Sequence, residues 1–335
     1  MRPEQADGPC VAVVVPAKLN LFLSVRGRRP DAFHELVTVL QTVSLYDRLR
    51  VGLIGPPGQG HHPAARRRMR VRLSHNGGPA VPSADANLAV RAARALGHAT
   101  KVIDLAVVDE RAVTLANPEV DAAATPVTVM NLDKGIPVAG GMAGGSADAA
   151  AALVSLNELW GCALSRDDLR RLAAVLGSDV PFCVVGGTAL ATGRGTALAQ
   201  VLCRGTFHWV VCQAREPLET AAVYRAWDRH CRPSEVEPDA VLQALRGSDA
   251  EALGAALHND LEEAAFSLRP ELEDAKKALI DAGALGAVLS GSGPTLLALC
   301  ESEQAAAAVG TRVRGRFAKT VVAHSPAGGP EFRPC

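Results

Sequence analysis

The chain has 335 residues, 48% of them hydrophobic and 21% charged, so it is long enough to bury the cores of two domains and too apolar to be disordered throughout. Its 35 Lys and Arg residues balance 35 Asp and Glu residues. No global field therefore draws it to nucleic acid or an anionic membrane, and any anion site must be local. No apolar run reaches the ~20 residues of a membrane-spanning helix, and Met1 to Pro9 lacks a basic-then-apolar leader pattern. The eight cysteines form no C-x-x-C pair, which excludes zinc and thioredoxin-like motifs. They are expected as reduced thiols in a cytoplasmic protein.

Cys10 to Val15 is a β-branched apolar run. From Lys18 the pattern alternates, with Leu19, Leu21, Leu23 and Val25 on one strand face and Lys18, Asn20 and Phe22 on the other. Gly52 to Ala65, rich in Gly and Pro, predicts a long hairpin loop. Arg66 to Leu73 alternates basic and apolar residues and predicts a strand with a solvated face. Asn87 to Leu96 has helical spacing, and Asp104 to Pro126 reads as irregular. The clearest helix is Ser146 to Trp160, with Ala149, Ala152, Leu153, Leu156 and Trp160 in one stripe before Gly161. A second runs from Arg166 to Leu176 and ends at Gly177.

A Gly, Ala and Thr-rich stretch from Gly186 to Gln200 marks a domain boundary, placed at 195/196, so that the domains run over 10–195 and 196–325. Beyond it, strand patterns at Trp209 to Cys212, Ala287 to Ser290, Thr295 to Leu299 and Thr320 to Ala323 alternate with helices around Asp249 to Leu257 and Glu271 to Ala282. That is an α+β layer. The tail after His324 is expected to be loose.

Val138 to Ala147 opens directly into the strong helix. Its glycines, Gly140, Gly141, Gly144 and Gly145, let backbone N–H groups approach a phosphate at the positive end of that helix. It is not a Walker loop, because Ser146 stands where lysine is required, and no G-x-G-x-x-G is present at these glycines. A tight packing turn is the bland alternative. Ser146 is a candidate Mg²⁺ ligand. Lys18 lies on the polar face of an apolar strand, where a desolvated ammonium needs an anionic partner or must snorkel to solvent. Asp179, in Gly177 to Pro181, reads either as a turn or cap aspartate or as a catalytic carboxylate. Phe33, His34 and Glu35 fail as a zinc motif because Thr38 replaces the second histidine. Ser290 to Thr295 is a second small-residue loop, without the spacing of a nucleophile elbow.

Taken in order, Pro16 to Asn20, Ile136 to Ser146 and Leu289 to Thr295 resemble the three motifs of the GHMP kinase superfamily. Arg29 to Glu35, Asn87 to Ala93, Gly177 to Phe182 and His258 to Leu261 extend the resemblance over most of the chain. It implies a two-domain α+β fold, with an N-terminal ATP-binding α/β domain and a C-terminal ferredoxin-like α+β domain. It also implies an ATP-dependent, Mg²⁺-assisted kinase of isoprenoid precursor synthesis, with small-molecule partners only and a monomer or weak homodimer as its state. The branch it is most similar to phosphorylates the 2-hydroxyl of a cytidine-diphosphate-linked methylerythritol.

In that branch's pattern Asp179 is the catalytic base and Lys18 its charge partner. Val138, Ala139, Gly140, Gly141, Met142, Ala143, Gly144, Gly145 and Ser146 bind ATP phosphates, and Asn87 lies near the adenine. Phe33 and Tyr224 sandwich cytosine, His34 hydrogen-bonds it, and Asn20 positions the erythritol end. The family's glycine before the aromatic–His pair is Ala32 here, which predicts a changed backbone; Phe33 replaces a common tyrosine and Ala221 a frequent proline. Homoserine, mevalonate or sugar kinases of the same superfamily are alternative readings, and so is a non-catalytic nucleotide-binding protein.

Overall fold

The computed structural model describes residues 9–54, 67–78, 81–82, 86–100, 103–107, 127–138 and 140–335. The apolar alternation at the start of the chain forms one long strand, β1 (Cys10–Arg28), which turns at 29–33 and returns as β2 (His34–Ile54). Then come β3 (Arg67–His75), α1 (Leu88–Thr100), β4 (Ile103–Val107), β5 (Val127–Asp133), α2 (Gly144–Leu159), α3 (Arg166–Leu176), α4 (Val180–Val185), β6 (Thr188–Gly193) and β7 (Ala197–Gln200). The second half holds β8 (Phe207–Gln213), α5 (Thr220–His230), α6 (Asp239–Gly247), α7 (Ala250–Ala256), β9 (His258–Asn259), α8 (Glu262–Leu268), α9 (Glu271–Asp281), β10 (Gly286–Leu289), β11 (Leu296–Cys300), α10 (Glu303–Val313), β12 (Lys319–Ser325) and β13 (Glu331–Arg333).

Two sheets result. The first runs β13-β1-β2-β5-β3-β4, with β6 and β7 continuing from β2 and β9 joining β1. The second is antiparallel in the order β10-β11-β8-β12, the strand order of a ferredoxin-like βαββαβ unit. The expected two-domain α+β architecture is the one found. The predicted boundary at 195/196 falls in the β6–β7 turn, and β7 pairs with β6 in the first sheet.

Helix α2 is the centre of the first domain. Five alanines and Leu153 and Leu156 are buried on it, so small side chains let α1 and β1 pack closely around it. Truncation of either leucine to alanine would cost about 2–5 kcal/mol. Helix α3 opens with a reciprocal capping box, in which Asp168 N–H donates to Ser165 Oγ at 3.2 Å and Ser165 N–H to Asp168 Oδ2 at 3.1 Å.

Several expectations are corrected. Register shifts between Pro16 and Ala17 and between Asn20 and Phe22 interrupt the β1–β2 ladder. The second flips the alternation, so Phe22 is buried in the core and Leu23 lines the cavity described below. Arg72 is buried rather than solvated, and Asp104 to Val107 belongs to β4, parallel to β3, rather than to an irregular segment. The hairpin expected around Gly52 to Ala65 is not formed, because β5 lies between β2 and β3 in the sheet; residues 55–66, 108–126 and Ala139 lie outside the described residues.

Ala32, where the family pattern has glycine, adopts φ 66°, in the left-handed region that glycine enters freely and alanine rarely does. Nor is the tail loose. Ala327 N–H donates to Thr42 Oγ1 at 3.1 Å, Gly187 N–H to the Gly328 carbonyl at 3.0 Å, and β13 pairs with β1. Cys10 and Cys335 are joined by a disulfide, so two of the cysteines expected as thiols are not thiols; their Cα atoms lie 6.2 Å apart. The bridge ties the chain's last residue to the first strand, across a sequence separation of 325 residues. Cys335→Ser is expected to lower unfolding stability in non-reducing buffer by about 2–4 kcal/mol, read as the denaturant midpoint. Identical midpoints for wild type with and without reductant would show that the bridge contributes nothing.

Candidate active site

A cavity of about 770 Å³ opens between the two domains. Lys18 and Asn20 enter it from β1, the Gly140 to Gly145 loop from the start of α2, Asp179 from the turn before α4, Phe33 and His34 from the β1–β2 turn, and Tyr224 from α5. Of the residues expected at the site, Met142 and Asn87 are buried behind this wall, while the half-buried Val138 and Ser146 adjoin the loop without lining the cavity. Met142 is fully buried, and its carbonyl accepts the Lys18 N–H at 3.2 Å. Asn87 Oδ1 accepts the Ala89 N–H at 2.9 Å, which fixes the start of α1, and Leu88 packs beside Gly145.

The glycine loop works through close approach. A Cβ on Gly141, at φ 72°, would lie 2.3 Å from the Ser290 carbonyl, and one on Gly140 would lie 3.0 Å from Thr295 Oγ1. Ser290 Oγ donates to the Gly141 carbonyl at 3.2 Å. The two small-residue loops singled out in the sequence therefore pack on each other across the domain interface. Asn259, part of a motif to which the sequence reading gave no role, holds the second loop by donating to the carbonyls of Leu289 and Gly291, both at 2.7 Å. Ala143, at the N-cap of α2, provides no side-chain cap, so the first N–H groups of the helix have no side-chain acceptor there. Those donors, at the positive helix end beside Gly144 and Gly145, are what a phosphate chain takes.

Lys18 is 4% exposed. Its Nζ donates to Asn20 Oδ1 at 2.6 Å and lies 3.7 Å from Asp179 Oδ2. Asn20 Nδ2 donates to Thr38 Oγ1 at 3.0 Å, and Thr38 Oγ1 donates to the Phe22 carbonyl at 2.6 Å. This relay leaves the ammonium in one position. Asp179 stands at the N-cap of α4 but makes no cap hydrogen bond, so its carboxylate remains available to the cavity and to Lys18. The cap reading of Asp179 is thereby corrected.

At the other end, His34 Nε2 pairs with Asp228 Oδ1 at 2.7 Å, and the His34 ring stacks on Tyr224 at 4.6 Å with an edge contact to Trp227 at 5.6 Å. Burial, with Asp179 adding to it, pushes the Tyr224 hydroxyl well above its ordinary pKa, so it stays a neutral donor. Phe33 carries the Arg194 guanidinium 3.7 Å from its ring centroid. One face of each aromatic ring is thus already covered by another side chain of the chain itself.

Sequence reading missed the cluster beneath the loop. Lys134 Nζ reaches Asp47 Oδ2 and, at 2.7 Å, Asp148 Oδ2, while Asp47 Oδ1 accepts the N–H groups of Gly135 and Ile136 at 2.7 and 2.9 Å. Asp148 lies in the first turns of α2, and its Oδ1 has no partner. The signal was present as a carboxylate set in the run of small residues that opens α2. Burial first, then the Asp47 charge, pushes the Asp148 carboxyl up to about 8 against the pull of Lys134.

The relatives agree with this architecture. Residues 87–187 match the GHMP kinases N terminal domain and residues 241–319 the GHMP kinases C terminal description. The chain belongs to the GHMP kinase family, whose members are ATP-dependent phosphotransferases. It is 45% identical over 309 residues, 91% of this chain and 90% of the relative, to the 4-diphosphocytidyl-2-C-methyl-D-erythritol kinase of Nocardia farcinica. The Mycobacterium tuberculosis protein of that name is 43% identical over 310 residues, 91% of this chain and 86% of the relative. A crystal structure of 4-(cytidine 5'-diphospho)-2C-methyl-D-erythritol kinase superposes with a TM-score of 0.72 at 29% identity, covering 95% of this chain and all of that one. The fold alone is shared with homoserine kinase from Cytophaga hutchinsonii, at a TM-score of 0.70 and 17% identity over 99% of each chain.

The Asp148 shift gives a pH prediction. A carboxyl whose folded pKa is raised holds its proton where the unfolded chain releases it, so its contribution to stability is full below about pH 4 and is lost as pH rises toward 8. Asp148→Asn, which cannot ionise, is expected to flatten the loss of thermal midpoint between pH 5 and 8. A wild-type slope unchanged by the substitution would mean that Asp148 is ionised throughout.

Proposed function

We propose that the cavity transfers the γ-phosphoryl group of ATP to the 2-hydroxyl of 4-diphosphocytidyl-2-C-methyl-D-erythritol, with Asp179 accepting the hydroxyl proton and Lys18 offsetting charge. The observation that carries this reading is the Lys18–Asp179 pair at 3.7 Å, set in one cavity with the uncapped start of α2 and with His34 and Tyr224. Phosphoryl transfer of this kind passes through a loose transition state, where positioning and electrostatics do most of the work. The Asp179 carboxyl group, 3.7 Å from the Lys18 ammonium, then suffices as acceptor. The Lys18 relay through Asn20 and Thr38 holds that ammonium without reorganisation during the reaction.

ATP phosphates take the N–H groups at Gly144 to Ser146. Mg²⁺ fits the donors present: the Ser146 hydroxyl and the Asp179 carboxylate are hard oxygens of the type that join substrate phosphates around this ion. Bound there, it would neutralise phosphate charge. His34, held by Asp228, reads a polar base edge beside Tyr224. Homoserine, mevalonate and sugars have no use for that end of the cavity. In the cytoplasm, where this reading places a monomer or weak homodimer, thiol reductants would open the Cys10–Cys335 bridge.

ADP release with Mg-ATP tests the reading, with 4-diphosphocytidyl-2-C-methyl-D-erythritol offered beside homoserine, mevalonate and galactose. Turnover with the cytidyl substrate alone is expected; turnover with another acceptor would sink the base-reading assignment. Asp179→Ala is expected to lower kcat by about 10²–10⁴ with ATP binding intact, and near-normal turnover would remove Asp179 from the chemistry. Tyr224→Ala is expected to raise KM for the cytidyl substrate about tenfold and KM for ATP less than about twofold. An unchanged cytidyl KM would move the base site elsewhere.

A further inference from the structure

We infer that Arg194 holds the diphosphate of the cytidyl substrate, an inference that rests on the substrate reading above. Arg194 lies in the tight β6–β7 turn, between Gly193 at φ 69° and Gly195 at φ 85°, and lines the cavity. Its guanidinium is spread over Phe33, 3.7 Å from the ring centroid. Its Nε is buried without a hydrogen-bond partner, and it makes no ion pair among the described residues.

The nearby acid, Asp31, is engaged elsewhere. It accepts the Phe33 N–H at 3.2 Å and pairs with Arg29 at 3.3 Å. Arg225, another cavity arginine, faces Glu219 at 3.7 Å.

The position of Arg194 follows from its neighbours. A Cβ on Gly195 would lie 4.0 Å from Ser178 Cβ, directly before Asp179 in the chain. Arg194 thus bridges the wall that carries the proton acceptor and the aromatic that flanks the base site. In the substrate the diphosphate is the link between cytosine and methylerythritol. With the base at His34 and Tyr224 and the reacting hydroxyl at Lys18 and Asp179, that link must pass between them, where Arg194 stands.

The chemistry matches the location. A guanidinium lying flat on a ring keeps its edge N–H groups free for a bidentate contact with phosphate oxygens, and stacking fixes its orientation in advance. The ATP phosphates are served separately, by the start of α2. Loss of Arg194 should therefore separate the two nucleotides.

The test uses the full-length enzyme, with calorimetric binding of CDP and of cytidine beside steady-state kinetics. Arg194→Met keeps an unbranched stem over Phe33 and removes the charge. It is expected to weaken CDP about tenfold, leave cytidine within about twofold, raise KM for the cytidyl substrate about tenfold and leave KM for ATP within about twofold. Added salt should weaken CDP binding more steeply in wild type than in the variant.

Equal weakening of CDP and cytidine would mean that Arg194 only supports Phe33, and no weakening of CDP would mean that it touches no phosphate; either overturns the inference alone. Should the Met variant fail to fold, Arg194→Lys, which keeps the charge and loses the fork, is expected to weaken CDP about threefold with cytidine unchanged; wild-type CDP affinity in it overturns the fork contact. A wild-type enzyme that binds neither CDP nor cytidine and phosphorylates a different acceptor removes the substrate reading, and this inference with it.

Discussion

An ammonium with 4% of its residue's surface exposed must find negative or dipolar partners within the protein, and the placement of Lys18 organises much of what surrounds it. The register shift after Pro16 sets the strand segment that presents Lys18, and the shift after Asn20 returns the chain to the core through Phe22. Asn20 and Thr38 satisfy the polar groups this leaves on the β1–β2 face. Gly291 lets the second domain approach, since its φ is 57° and a Cβ there would lie 3.3 Å from Asn20 Oδ1. A larger residue at 291, already at φ 57°, would crowd the ammonium and the Asn20 amide together.

A second buried ammonium, Lys134, lies on the far side of the glycine loop with the opposite balance of charge. Two carboxylates face it, so the cluster would carry a net negative charge were both ionised, and the raised pKa of Asp148 relieves that excess. The cluster ties together the end of β2, the segment before the loop and the first turns of α2. A Cβ on Gly144 would lie 3.3 Å from Lys134 Nζ, so the glycine there serves the buried ion cluster as well as the phosphate side. The loop's backbone is thus held from behind by charge and in front by the Ser290 to Thr295 loop, which fixes it at the edge of the cavity.

What was legible in the sequence was whatever depends on local pattern. The glycine loop and its following helix, the span of α3 up to Gly177, Lys18 and Asn20 at i and i+2, and the small-residue loop at Ser290 are all short-range features, and each is where it was expected. The pairings were not legible. Nothing local shows that β7 joins the first sheet or that Cys335 meets Cys10, because those contacts depend on segments far apart in the chain. The Phe22 error has the same root: strict alternation holds only while the partner strand keeps register, and a bulge reverses the face. Asp179 could be separated from a cap aspartate only by seeing that no N–H takes its side chain.

Arg194 was illegible for a different reason. In sequence it is one arginine among many, in a Gly and Thr-rich turn that reads as a boundary. Its meaning comes from an arginine without a carboxylate, resting on an aromatic that the turn after β1 brings opposite. With Arg194 on Phe33 and His34 on Tyr224, each ring expected to flank the cytosine has one face taken by a charged or hydrogen-bonding neighbour, and the sandwich would use the other. On the proposed function, recognition at that end uses ring-and-polar pairs in which each aromatic wall is backed by a polar side chain. Such pairs read both the flat base and the charge that follows it, and an uncharged acceptor has nothing to offer the second member of each pair.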